Sequence, residues 1–222
     1  MKISEIFFSV QGEGSLLGVP SVFVRTTGCN LRCSWCDTPY TSWQPEGEEM
    51  AISQILNSVE SFSARHVVVT GGEPLIMPGI PALIAQLRAL HYHVTIETAV
   101  TVPTTAVCDL MSISPKLANS TPEGPFAEKH EKLRINLEVL QTLMQQPYQL
   151  KFVVASEQDM TEINALVRSL GAPPQSVMLM PEGTSPDLLR ERSIWIVEHA
   201  KQFGYRFTPR LHVELYGNRR GV

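Results

Sequence analysis

Three of the four cysteines fall inside eight residues, Cys29-Asn30-Leu31-Arg32-Cys33-Ser34-Trp35-Cys36, while Cys108 lies far away in an apolar stretch. Gaps of three and then two residues let three thiolates converge on one side of a cubane iron–sulfur cluster, as cysteine runs do in ferredoxins. The run supplies no fourth ligand. One iron then keeps an open position, as the metal of a catalytic zinc site does, and an open iron is a place for a substrate or cofactor to bind. A zinc module is the alternative, but it calls for paired Cys/His spacing. None of His66, His91, His93, His130, His199 and His212 lies in the loop, and no two make an H-x3-5-H pair. Cys108 is expected to be an inert core thiol, since free cysteine is among the most buried residue types.

Gly71-Gly72-Glu73-Pro74 is the second chemical signal. Glycines let a backbone approach a ligand closely, and the loop carbonyls or Glu73 can accept hydrogen bonds from an ammonium group. Alone, the same residues make an ordinary strand-to-helix turn with an acid at the helix start. Beside the cysteine run the ligand reading gains weight. A cubane with one open iron can chelate the amino and carboxylate groups of S-adenosylmethionine, and the glycine loop suits the other side of that molecule.

The elements that must position these loops alternate along the chain. Apolar runs at Ser21–Arg25, His66–Thr70, Val94–Thr98, Leu110–Ser114, Gln149–Val154 and Val177–Met180 read as strands. Between them, apolar residues recur at helical spacing over Ala51–Phe62, from Ile80 to Leu90, from Leu133 to Met144 and from Ile163 to Leu170. A last helix carries Leu188 to Val197, and Phe207–Leu215 reads as extended. Strand–helix alternation implies right-handed crossovers and a largely parallel sheet. The expected fold class is α/β, a partial, open β/α barrel of about six mainly parallel strands, with Ile3–Ser9 as an antiparallel edge strand or flap. The cysteine loop, Gly71–Pro74, Glu97-Thr98, Ser114-Pro115-Lys116 and Pro181-Glu182-Gly183 then share one rim, the carboxyl ends of the strands. Active sites of such folds are built there.

Composition narrows the function classes. At 222 residues the chain suits one domain, with residues 1–20 as an amino-terminal substrate loop or flap and residues 205–222 as an extension near the active site. Apolar residues make up 43%, charged residues 18% and the net charge is −4. Without a basic stripe no nucleic-acid partner is expected. No run of eighteen apolar residues exists, so no membrane partner is expected. Met1-Lys2-Ile3 leads into no secretory apolar region, and the reading is a cytoplasmic enzyme. Ala118–Glu128, rich in Ser, Thr, Pro and Gly, reads as a disordered or lid-like piece.

Cys29-x3-Cys33-x-Trp35-Cys36 together with Gly71-Gly72-Glu73-Pro74 resembles the radical S-adenosylmethionine superfamily. Val10-Gln11-Gly12-Glu13-Gly14, Phe23-Val24-Arg25, Cys36-Asp37-Thr38, Ile113-Ser114-Pro115-Lys116 and the stretch from Tyr216 to Val222 are similar to its 7-carboxy-7-deazaguanine synthase family. That resemblance implies a lyase converting 6-carboxy-5,6,7,8-tetrahydropterin to 7-carboxy-7-deazaguanine, with ring contraction and loss of ammonia, on the route to queuosine-type 7-deazapurines. It implies a 4Fe–4S cluster on Cys29, Cys33 and Cys36, and magnesium on Thr38. S-adenosylmethionine is then expected at Trp35, Cys36, Asp37, Gly72, Ser114, Pro115, Lys116, Met180, Pro181, Glu182 and Gly183. The pterin is expected at Val10, Gln11, Gly12, Arg25 and Thr70. Glu13 is a further candidate for the pterin nitrogens, Glu73 for the ammonium and Glu97 for the adenosyl ribose. The same resemblance implies an external electron donor of the flavodoxin or ferredoxin type and a homodimer. A glycyl-radical-enzyme activase shares the cysteine spacing, but it has no use for the Gln11–Gly14 loop or Arg25.

Overall fold

The computed structural model describes all 222 residues, Met1–Val222. In chain order the elements are β1 (Lys2–Val10), β2 (Pro20–Thr26), α1 (Pro39–Ser42), β3 (Glu48–Glu49), α2 (Ile52–Glu60), β4 (His66–Gly71), α3 (Ile80–Ala89), β5 (His93–Thr98) and β6 (Leu110–Ile113). They continue as α4 (Ala127–Arg134), α5 (Leu137–Leu143), β7 (Tyr148–Val154), α6 (Asp159–Leu170), β8 (Val177–Pro181), α7 (Pro186–Phe203), β9 (Arg206–Phe207) and α8 (Leu211–Tyr216). All nine strands form one open sheet in the order β3-β1-β2-β4-β5-β6-β7-β8-β9. From β2 to β9 every pairing is parallel, and β1 runs antiparallel to both β2 and β3.

Successive side chains on a strand point to opposite faces, and here the two faces differ sharply in polarity. Val22, Val24, Val67, Val69, Val94, Ile96, Leu150, Phe152 and Leu179 face the helices and join the main core with Ile55, Leu83, Leu140, Ile163 and Ile196. The alternate residues, Phe23, Arg25, Thr70, Glu97, Ser114, Lys151 and Met180, face a cavity on the concave side. Slipping β2, β5 or β7 by one residue exchanges these sets and puts charge in the core, so their register is fixed by burial.

The alternating parallel architecture is as the sequence indicates, with differences that have physical reasons. A seventh parallel strand, β9, is only two residues long and too short to leave a pattern. The Ile3–Ser9 run pairs antiparallel, but β3 lies outside it, so it is not the edge. The helix expected from Leu133 to Met144 is two helices, because Asn136 is extended and accepts a hydrogen bond from Val139 N at 3.2 Å, capping α5. Phe207–Leu215 is not extended beyond β9, since Leu211–Tyr216 is α8. Ala118–Glu128 is no loose lid. Ser34 N donates to Ser120 O at 2.9 Å, Trp35 Nε1 donates to Asn119 Oδ1 at 3.1 Å, and the buried Ser120 hydroxyl pairs with His130, so the segment packs on the cysteine loop.

Candidate active site

The cysteine loop runs without regular structure from β2 to α1. It is held by its own backbone. Arg32 Nη1 donates to Cys29 O at 2.7 Å, Trp43 Nε1 to Cys33 O at 3.1 Å, and Gly28 N to Thr41 O at 2.7 Å. Cys29, Cys33 and Cys36 form no disulfide, and the three thiols lie close enough to affect each other's charge. Burial, then the charge of Glu73 and the Cys36 thiol, push Cys29 up to about 11, and burial, then the Cys36 and Cys29 thiols, push Cys33 up to about 12. Cys29 and Cys33 therefore keep their protons in the free loop, and metal loading must release them. No three His, Cys, Asp or Glu side chains are drawn together around a single ion. A tetrahedral zinc needs that, with sulfurs about 2.3 Å from one centre, whereas a cubane takes each thiolate on a separate iron. The donor set fits a cluster with one open iron.

The glycine loop is joined to this one. Glu73 N donates to Gly28 O at 3.0 Å. A Cβ on Gly72 would meet the Gly28 carbonyl and stand 2.8 Å from Thr41 O, and Gly71 sits at φ 144°, so neither position tolerates a side chain. Glu73 is turned into the protein. It is fully buried and accepts from Leu75 N (3.0 Å), Thr98 Oγ1 (2.7 Å) and Ala99 N (2.8 Å), which uses both oxygens. Burial outweighs these bonds and raises its carboxyl above the usual range. Glu73 thus serves the turn in this structure, and it does not line the cavity.

A cavity of about 440 Å³ opens beside these loops at the carboxyl ends of the strands. Val10, Gln11, Gly12, Arg25, Thr38 and Thr70 line it, as do Trp35, Asp37, Gly72, Ser114, Lys116 and Met180. Cys36, Pro115, Pro181, Glu182 and Gly183 do not. Glu182 turns away to pair with Arg192 of α7, and Gly183 gives its carbonyl to Arg210 at 2.6 Å. Glu97 is held between Gln11 Nε2 (3.2 Å) and Thr70 Oγ1 (3.0 Å), the side chains expected at the pterin. Arg25 spends only Nε on Glu5 (2.7 Å) and lies 5.5 Å over the Phe7 ring, so its terminal nitrogens carry no protein partner. Thr38 precedes α1 but makes no capping bond with its hydroxyl.

Sequence reasoning gave no individual role to Lys151, Arg210 or His212, which line the cavity; residues 205–222 were expected near the active site, and Asn218–Val222 do line it. Lys151 was readable: it is the one charge in Gln149–Val154 and shares parity with Gln149 and Val153. Arg210 was hidden inside a stretch read as extended. Glu13, expected at pterin nitrogens, is instead ion-paired to Lys151 and to Arg210. Burial alone raises its carboxyl, but those two cations prevail and hold it well below the ordinary range.

The chain matches the radical S-adenosylmethionine superfamily over residues 23–141. It is 47% identical to the 7-carboxy-7-deazaguanine synthase of Rhodopirellula baltica over 99% of this chain and 88% of that one. The identity to the Halobacterium salinarum synthase is 44%, over 98% and 91% of the two chains. The chain belongs to the 7-carboxy-7-deazaguanine synthase family. Like other members of the superfamily it is a radical S-adenosylmethionine enzyme, a class that works with that nucleoside and a 4Fe–4S cluster. The fold is shared with the crystal structure of QueE from Escherichia coli, with a TM-score of 0.75 and 24% identity over 95% of this chain and 94% of that one. It is shared more distantly with Streptococcus suis SuiB bound to S-adenosylmethionine, with a TM-score of 0.57 and 12% identity over 86% and 50%. No helix of the chain is long and apolar enough to cross a membrane.

Proposed function

We propose that the protein converts 6-carboxy-5,6,7,8-tetrahydropterin to 7-carboxy-7-deazaguanine with loss of ammonia. The observation that carries this reading is the pairing of a three-thiolate loop with a cavity lined by Arg25, whose terminal nitrogens carry no protein partner. A carboxylated pterin needs such a cation, and a guanidinium with free terminal nitrogens can take a carboxylate bidentately. The cavity volume suits small molecules.

Cys29, Cys33 and Cys36 would hold the cluster. With S-adenosylmethionine bound, the cluster supplies a one-electron cleavage whose carbon radical can take hydrogen from C6 of the pterin. The chain's own residues orient and enclose. Gln11, Glu97 and Thr70 form a fixed row of donors and acceptors along one edge of the cavity. Thr38 Oγ1, free of capping duty, would be a magnesium ligand, since magnesium keeps most of its waters and takes few protein groups. That ion would finish the charge balance at the substrate carboxylate opposite Arg25. Trp35, with Lys116 Nζ 5.7 Å from its ring centre, and Met180 form the S-adenosylmethionine side. Arg220 pairs with Glu5 at 3.2 Å and covers the Tyr40 ring at 4.2 Å, which lays residues 218–222 across the mouth and limits water. An external flavodoxin- or ferredoxin-type donor, a homodimer and a cytoplasmic location complete the proposal.

Anaerobic reconstitution with iron, sulfide, S-adenosylmethionine, magnesium and the carboxypterin tests it. Mass identification of 7-carboxy-7-deazaguanine is the expected result. A loaded enzyme that leaves the pterin intact and instead installs a radical on a peptide glycine would make it an activase.

A further inference from the structure

Three loops of the rim meet at one side chain. Arg210 lies between β9 and α8, and its side chain is only 8% exposed. Its Nε bonds Glu13 Oε1 at 3.2 Å, its Nη1 bonds the Gly183 carbonyl at 2.6 Å, and its Nη2 pairs with Asp37. Glu13 belongs to the loop after β1 that carries Gln11 and Gly12. Asp37 directly follows Cys36, and Gly183 follows β8. Backbone bonds tie the same segment down, Leu211 N to Gly12 O at 2.9 Å and Gly14 N to Thr208 Oγ1 at 2.7 Å.

We propose that Arg210 is a positioning residue: it sets the cysteine loop against the Gln11–Gly14 loop and so fixes the distance between S-adenosylmethionine and the pterin. This rests on the proposed reaction. Asp37 and Glu13, one from each loop, are both acidic and both pair with this one guanidinium, so the shared cation is what joins the two loops. A guanidinium is planar and rigid and can direct bonds along separate in-plane directions, which an ammonium on a flexible stem cannot. Hydrogen transfer between two bound molecules is acutely sensitive to their separation, and an error of about 1 Å can cost about 10²-fold in rate. Lys151 holds the other oxygen of Glu13 and His212 packs on Gly12, so the substrate loop keeps its fold when Arg210 is altered.

Loosening this link should uncouple the reaction. Each abortive turnover takes one electron from dithionite, breaks the sulfonium carbon–sulfur bond to give methionine, and completes 5′-deoxyadenosine with a hydrogen atom from a buffer thiol. Arg210→Lys, Asp37→Asn and Glu13→Gln are compared with the native enzyme, all cluster-loaded, for three quantities. These are S-adenosylmethionine affinity, the ratio of 5′-deoxyadenosine to deazaguanine, and amide hydrogen exchange in residues 11–14 and 29–38. For Arg210→Lys the inference expects affinity within about 3-fold, product slowed by about 10²-fold, a ratio raised at least about 10-fold, and faster exchange in both loops together. The two carboxylate variants should raise the ratio less, and adding Asp37→Asn to Arg210→Lys should add little, because both remove the same link. Unchanged ratios in all three variants overturn the inference, as does faster exchange in only one loop. If Arg210→Lys fails to take up the cluster, the carboxylate variants decide. An inactive native enzyme would count against the proposed reaction alone, since the exchange measurement needs no turnover.

Discussion

The inward face of the sheet treats polar side chains differently at its two ends. At the amino ends of the strands they are neutral. His66 is buried between Ser21 Oγ (2.6 Å) and Thr95 Oγ1 (2.8 Å), and Gln149 bonds Ser112 Oγ (2.8 Å) and Ser15. Two to four residues further along, at the carboxyl ends, the same face carries Arg25, Glu97 and Lys151, with Glu13, Asp37 and Arg210 folded over them. Burying ions is costly unless each is paired and hydrogen-bonded, whereas satisfied neutral groups are tolerated with little loss. The lower layer meets only the demands of packing. The upper layer accepts the cost of charge where ligands are to be bound, so function is concentrated within one layer of side chains.

Substitutions in the two layers should therefore differ in kind. The largest effect is expected at the cysteines. Cys33→Ala should abolish turnover and the visible absorption of the reconstituted cluster, whereas Cys108→Ala, in the core behind the sheet, should keep activity within about 2-fold and cost about 1–2 kcal/mol in denaturant melts. Retained activity in Cys33→Ala would remove the basis for treating the upper layer as a cluster site. Arg25→Lys keeps the charge but loses the fork, and kcat/KM for the pterin should fall by about 10²-fold, ~3 kcal/mol of transition-state binding. A fall in S-adenosylmethionine affinity instead would place Arg25 on the wrong side of the cavity. Thr38→Ala should raise the magnesium concentration for half-maximal rate by about 10-fold, at saturating pterin, and leave the melting temperature almost unchanged because the hydroxyl caps nothing.

The smallest effect belongs to the lower layer and concerns pH. Burial, then His93, hold His66 down to about 4 from an ordinary 6.5. As pH falls from about 6.5 to about 4 the unfolded chain binds this proton before the folded one, so stability declines across that window. The loss is about 3 kcal/mol at most, from 1.36 kcal/mol per pH unit. His66→Gln should flatten that part of the stability–pH curve in thermal melts without altering kcat. An unchanged curve would mean that the lower layer, too, contains charge.

Much of the upper layer was legible because its residues obey local rules. The cysteine spacing, the glycine pair and the polar ends of apolar strands are short-range signals, and they mark the correct rim. The burial of Glu73 was not legible, because a buried carboxylate satisfied by its own turn looks the same in sequence as one facing a cavity. Arg210 left no signal. Its partners are 27, 173 and 197 positions away, and only the folded sheet brings them together. The α4–α5 break, the two-residue β9 and α8 were illegible for a simpler reason: elements of a few residues are decided by capping and tertiary packing rather than by periodicity.

The account stands on three thiolates that leave one iron of a cubane free for S-adenosylmethionine. Electron paramagnetic resonance of the dithionite-reduced, reconstituted protein tests this most directly. The predicted result is a 4Fe–4S signal whose g-values shift when S-adenosylmethionine is added and which disappears in Cys29→Ala, Cys33→Ala and Cys36→Ala alike. A signal that ignores the nucleoside, or one that survives loss of any of the three cysteines, would contradict the account.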